Sequence, residues 1–299
     1  LFSKNTYAKI NLVFKIKEID INVINNLSTI LEKNNVVALN LDTRSNINYF
    51  FNGIRIYENT NSLEQISEGR MVVSSTSINL ARLGLKYKNK PIEQFYEELG
   101  NVCELVKNEL LLSFETIGSK SKDYYRELFT GNVYDDEKLE IGQRIRKVIK
   151  NDFLNIGIIG LKECAVCLES DESKRIKIIE DIIDFLNKKI EGYTKDTKLN
   201  FGLYEPIDKK SRARLLAIDK AIYGVVTDVT DKKHYDLLDV GILGSWEKLS
   251  AIQKNLSSGK CIDVHITGKI SIKKIADTLE LFKNSGIDFV RLVVGKHED

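Results

Sequence analysis

The sequence predicts an α/β fold, in which β-strands and amphipathic helices alternate along one chain. Three observations carry this reading. The C-terminal stretch places an alternating run, Ile262, Val264 and Ile266 in KCIDVHITG, ahead of a helical segment and a second apolar strand, IDFVRLVVG. Two long segments, beginning near Pro91 and Glu172, keep apolar residues three and four apart. Only two prolines occur and no repeat or low-complexity linker interrupts the chain, so residues 1–299 are expected to form one domain.

The elements follow in order. KINLVFKIK (9–17) alternates as a strand does, and Ile21, Ile24, Leu27, Ile30 and Leu31 then take helical spacing. VVALNL (36–41) reads as a further strand. NYFFNGIRIYEN (48–59) reads as two strand arms around an Asn-Gly turn, with the bulky β-branched Ile54 at a tip where small or polar residues are usual. MVVSSTSINL (71–80) is apolar enough for another strand. Pro91 suits the first position of a helix over 91–112, whose face carries Ile92, Phe95, Leu99, Val102, Val106 and Leu110. GIIGLKECAVCLES (157–170) reads as helical and apolar, and a second long helix runs over 172–193 through Ile176, Ile179, Ile183, Leu186 and Ile190. In the closing unit Ser271 is a helix cap and Gly286 its C-terminal stop, which predicts a right-handed parallel crossover.

Composition excludes several classes. Forty-five basic and forty-three acidic residues leave a net charge of +2, spread along the chain, so no nucleic-acid surface is expected. With 42% apolar residues the chain builds a sizeable core. No run approaches the length of a membrane span and no signal peptide opens the sequence, which predicts a cytoplasmic protein without a membrane partner. The sequence begins at Leu1 rather than Met, the mark expected of a processed or trimmed piece of a longer product.

The candidate chemistry is sparse. Cys164 and Cys167 form CAVC inside an apolar helical stretch, whereas a redox pair needs an exposed helix N-terminus, so core packing is expected. Cys103 and Cys261 are isolated, and His234, His265 and His297 are scattered, so no metal is assigned and no cofactor is expected. His265 alternates with apolar neighbours and reads as a sheet-face residue. KKSRAR (209–214) offers Lys209, Lys210, Ser211, Arg212 and Arg214 either as a phosphate contact or as a solvated charge cluster.

Taken in order, INLVFKIKEIDI, NYFFNGIRIYEN, EGRMVVSSTSINLARLGLK, FLNIGIIGLKECAVCL, NFGLYEPIDKKSRARLLAIDKAIYG, VTDKKHY and NSGIDFVRLVV resemble the central and later barrel segments of the anaerobic, class III ribonucleotide reductases. The resemblance covers nearly the whole chain. It implies a complete or partial α/β barrel of the glycyl-radical-enzyme type, ten-stranded in the family, with outer helices. It also implies a finger loop at the barrel centre carrying Gly-Cys-Arg, whose cysteine becomes the thiyl radical that removes a ribose hydrogen. Here that triplet is Gly53-Ile54-Arg55, and the family's Gly-Arg-x-Asn becomes Gly69-Arg70-Met71-Val72. The phosphate-meeting Pro-Ala-Glu-Gly loop becomes Pro206-Ile207-Asp208-Lys209, and neither the four-cysteine zinc module nor the glycyl-radical loop follows within the sequence.

Two functions therefore compete. One is a non-catalytic relative with Ile54 and Val72 at the former reactive positions, serving as a binding or scaffolding protein. Its expected partners are a nucleotide, a second copy or an active reductase, and its expected substrate-type contacts are Arg55, Ser75, Thr76, Asn79, Lys209, Lys210, Ser211 and Arg212. The other is a piece of a working glycyl-radical reductase in deoxyribonucleotide synthesis, with Cys164 or Cys261 as an alternative thiol. Ile54 is expected inside the barrel against Val72 or Val73, with no sulfur nearby.

Overall fold

The structure, a computed structural model, describes residues 11–57, 59–61, 69–129, 139–268 and 270–295. Strand β1 (Val13–Lys15) is shorter than the alternation over 9–17 predicts, and residues 9 and 10 lie outside the described residues. Helix α1 (Ile21–Lys33) starts where the Asp20 carboxylate accepts from Val23 N at 2.8 Å, and it buries Ile24, Leu27 and Leu31. Strand β2 (Val36–Asn40) follows. The finger hairpin has two-residue arms, β3 (Asn48–Tyr49) and β4 (Arg55–Ile56), much shorter than the sequence suggests.

Strand β5 (Val72–Asn79) leads directly into α2 (Leu80–Tyr87), and α3 (Ile92–Gly118) runs six residues past its predicted end, with Pro91 as its cap rather than its first helical residue. A 3-10 turn (Lys122–Tyr125) and two short helices, α4 (Arg126–Phe129) and α5 (Arg146–Ile149), connect to β6 (Phe153–Ile159) and α6 (Leu161–Leu168). The apolar stretch read as one helix is thus a strand and a helix. Every residue of β6 is buried, so it shows no period-two alternation, and Gly160 at φ +76° makes the break. Then come α7 (Glu172–Thr197), β7 (Asn200–Tyr204), α8 (Lys209–Tyr223), α9 (Val240–Leu243), α10 (Trp246–Asn255), β8 (Asp263–Ile266), α11 (Ile272–Ser285) and β9 (Phe289–Val294). The closing unit forms as predicted: Ser271 caps α11, Gly286 ends it at φ +70°, and β8 and β9 pair in parallel.

Strands β5, β6 and β7 form one parallel sheet, and β1-β2-β9-β8 form a second. In the second, β2 runs antiparallel to β9 while the flanking pairs are parallel. A parallel bridge from Glu205 to Lys260 and a bond from Ser258 N to Leu203 O at 2.8 Å join the sheets where the chain approaches β8. The result is an open arc ordered β5-β6-β7-β8-β9-β2-β1. Among the described residues no pairing joins β1 to β5, so the barrel is partial and a closed ten-stranded ring is not found.

The outer face of the first sheet is apolar. Leu154, Ile156 and Ile158 of β6 cluster with Phe95, Leu99 and Leu110 of α3 and with Ile179, Ile183 and Leu186 of α7. Burying one such side chain is worth roughly 1.5–3 kcal/mol, and the layer is continuous with the rest of the core. The inner face is different. The register sets Ser75 beside Asn155 and Gly202, and Ser77 beside Gly157 and Tyr204.

Candidate functional site

The finger is built from its turn outward. Gly53 N donates to Phe50 O and Phe50 N to Ile54 O, each at 2.8 Å, and Gly53 holds φ +82°. This tip needs glycine for space as well as for conformation, because a Cβ there would stand 2.4 Å from Cys261 N. Arg55 N donates to Ser258 O at 2.9 Å, and a Cβ on Gly259 would stand 2.7 Å from Gly53 O. The finger therefore sits backbone to backbone on residues 258–261.

Ile54 is buried at 6% exposure. Its expected neighbours Val72 and Val73 are half-buried, and Val73 edges the largest apolar cluster, in which Ile54 takes no part. Sulfur does lie near the tip, contrary to the sequence reading, because Cys261 abuts Gly53. The Cys261 side chain packs in the cluster of Ala38, Ile47, Tyr49 and Phe289, and its Sγ donates to Asp263 Oδ1 at 3.4 Å. Burial first, and the Asp263 carboxylate second, push this thiol far above its ordinary value.

Arg55 does not meet the basic cluster of α8. Its Nη2 donates to Lys254 O, Leu256 O and Ser257 O at 3.3, 3.3 and 3.2 Å, and its Nε to Ser257 O at 3.3 Å. It thereby satisfies carbonyls at the end of α10. Arg70, from the Gly-Arg-Met-Val segment, is a clamp of the same kind: Nε donates to Asn151 O at 2.7 Å, Nη1 to Tyr57 O at 2.8 Å, and the guanidinium lies over the Phe153 ring. Burial lowers its pKa to about 10.

On β5, Ser75 is exposed and Thr76 half-buried. Asn79 is occupied at both ends: its Oδ1 accepts from Arg82 N at 3.1 Å, and its Nδ2 donates to Asp219 Oδ2 at 2.6 Å. The fully buried Asp219 also accepts from Arg82 Nε at 2.5 Å and Tyr235 Oη at 2.6 Å. At the start of α8 the Asp208 carboxylate accepts from Ser211 N and Lys210 N at 2.9 and 3.4 Å and from the Ser211 hydroxyl. A carboxylate thus already fills the anion-attracting helix end that a phosphate would use. Lys209 and Lys210 stay exposed, whereas Arg212 is buried and donates to Tyr235 O at 2.5 Å.

Three features escaped sequence reasoning. Lys260 and Glu205 form a buried ion pair beside the finger's seat, and Glu205 Oε1 also accepts from Leu238 N at 3.1 Å. Asn155 is fully buried: its Oδ1 accepts from Ser258 Oγ at 2.9 Å, while its Nδ2 has no hydrogen-bond partner among the described residues. Lys232 bridges the buried Glu163 carboxylate and Asp236, at 3.0 and 2.7 Å. Lys260 with Glu205, Ser258 with Asn155 and Lys232 with Glu163 are each more than fifty residues apart, which leaves no local pattern to read; only the Lys232–Asp236 contact is local, four residues apart. Cys164 and Cys167 are buried in α6, and burial pushes both thiols up, Cys167 to about 11. Among the described residues no His, Cys, Asp or Glu group is gathered that would hold a metal, and no helix is long and apolar enough to cross a membrane. This inner face offers hydroxyls, amides and paired charges, the chemistry of hydrogen-bonded recognition.

An open arc of mixed strands around a seated finger hairpin defines an α/β protein of the glycyl-radical-enzyme type. Known proteins narrow the class. The family model for the anaerobic ribonucleoside-triphosphate reductases matches residues 8–271, and the chain belongs to that family. The anaerobic ribonucleoside-triphosphate reductase of Haemophilus influenzae is 26% identical over 179 residues, 57% of this chain and 25% of that protein. The Thermotoga maritima anaerobic ribonucleotide reductase, solved in complex with dATP and CTP, superposes with a TM-score of 0.65 at 13% identity over 96% of this chain and 48% of its own. A glycyl radical enzyme from Archaeoglobus fulgidus gives a TM-score of 0.57 at 13% identity, over 96% of this chain and 47% of its own. The chain thus spans about a quarter of that curated relative and about half of these solved ones.

Proposed function

We propose that this chain is a non-reducing member of the reductase family, a cytoplasmic single-domain protein that binds or scaffolds rather than abstracts hydrogen. The observation that carries the reading is Ile54, buried at the finger tip where the family resemblance calls for a radical-forming cysteine. A hydrocarbon side chain forms no thiyl radical. Val72 in place of the family asparagine removes a substrate amide as well. Its ligand is a nucleotide held weakly, a reading supported by the Thermotoga relative solved with dATP and CTP and by the exposed Ser75, Lys209 and Lys210. An active reductase is its partner by the same resemblance.

A second reading, a piece of a working reductase, rests on Cys261 lying against Gly53. The test is anaerobic turnover with an activating radical enzyme and either formate or a thiol reductant. No deoxyribonucleotide is expected from the wild-type chain. Product formation that disappears in Cys261→Ser supports the second reading and overturns the first. Equilibrium dialysis against ATP and CTP tests nucleotide binding separately.

A further inference from the structure

Two helices on opposite faces of the β5–β7 sheet present apolar side chains to solvent. α8 packs Leu216 with Ile159, Ala81 and Tyr235, on the face of β6 that α3 does not cover. Its outward side exposes Ile218 at 38%, Ile222 at 59% and, just past the Gly224 cap, Val225 at 69%. Ile218 and Ile222, four residues apart, lie in one stripe of the helix, and Val225 follows just after the helix ends. The exposed Ala217 and Ala221 beside it let another helix approach closely. The surrounding surface is cationic: Lys209, Lys210, Arg214 and Lys220 are exposed, whereas the helix's own acid, Asp219, is buried against Arg82.

α3 has the opposite character. Leu105 and Leu112, two turns apart on one side of the helix, are 69% and 65% exposed. Its exposed carboxylates include Glu93, Glu97 and Glu109, and its one cation, Lys107, is paired with Glu104. A basic apolar stripe on one face of the molecule thus matches an acidic apolar stripe on the other.

We propose that α8 of one copy docks on α3 of a second copy. The two surfaces differ and lie on opposite faces of one sheet, so the contact is head-to-tail and leaves a free stripe at each end of any pair. It therefore repeats, growing a chain or closing a ring. This inference stands whether or not the protein reduces ribonucleotides.

Light scattering on the 299-residue chain over a concentration series tests it. The expected mass rises beyond two chains. Ile222→Asp and Leu112→Asp each abolish assembly alone, because each destroys one of the two surfaces. An equimolar mixture of the two variants forms a species of two chains that grows no further, since one intact α3 meets one intact α8. Ile218→Asp with Leu105→Asp repeats the pattern, and unchanged circular dichroism in either pair separates lost docking from lost fold. A wild type that stays monomeric, a wild type that stops at two, variants that assemble like the wild type, or a mixture that stays monomeric would each overturn the proposal.

Discussion

The two faces of the β5–β7 sheet solve different problems with the same strands. Outward, Leu154, Ile156 and Ile158 interlock with α3 and α7 in a layer whose strength is area removed from water. Inward, Asn155, Gly157 and Gly202 leave the middle of the sheet without apolar side chains, and contact there is made by backbone and hydroxyl groups instead. Ser258 Oγ takes the space a Cβ on Gly202 would need, and Ser77 Oγ the space of one on Gly157. Stability on one side is divisible among many methyl groups. On the other it rests on a few pairings, each of which fails as a unit.

The largest expected effect therefore comes from the smallest number of atoms. Lys260→Met strands the Glu205 carboxylate in a buried site and is expected to cost about 3–5 kcal/mol in denaturant unfolding. Adding Glu205→Leu should return much of that loss; if the double variant is as unstable as the single, the pair is not the joint between the two sheets. Next, Leu99→Ala in the outer layer should cost about 2–5 kcal/mol. Ser75→Ala on the inner face should stay within about 0.5 kcal/mol, because its side chain is exposed. Equal losses at these two positions would erase the contrast.

The smallest effect is in pH. Burial raises the Glu163 carboxyl above its ordinary value, with Lys232 and the Asp236 amide pulling the other way. The folded state then holds its proton more tightly than the unfolded one. That share of stability is complete below the ordinary carboxylate pKa and is lost as pH rises through the raised value. Glu163→Gln should flatten the stability–pH curve over this interval. A curve as steep in the variant as in the wild type would assign the slope to another group.

What the sequence made legible is what is encoded locally. The helical spacing of Ile21, Ile24, Leu27, Ile30 and Leu31, the Ser271 cap and the Gly286 stop are all written within a turn or two of where they act. Strand β6 was lost because both of its faces are buried, so the alternation that identifies a strand was absent. The finger's position followed from resemblance, but its short arms did not, since its support comes from residues 258–261 rather than from cross-strand pairing. Arg55 and Asn79 were expected to face a ligand, and the structure gives them to α10 carbonyls and to Asp219. A polar residue looks the same in sequence whether it awaits a ligand or satisfies a distant helix end.

The finger's seat also has a timetable. Arg55 closes on Leu256 across 201 residues of chain, so the hairpin leaves the ribosome long before the surface that holds it exists. At about 5–20 residues per second that interval is roughly 10–40 s. Until then its arms, two residues each, are too short to hold the turn in isolation. The outer layer of the sheet, by contrast, has all its elements once β7 emerges. A nascent chain arrested after β7 should consequently carry a formed outer layer and an unseated finger, so that protease cuts near Asn52 before release and spares it afterwards.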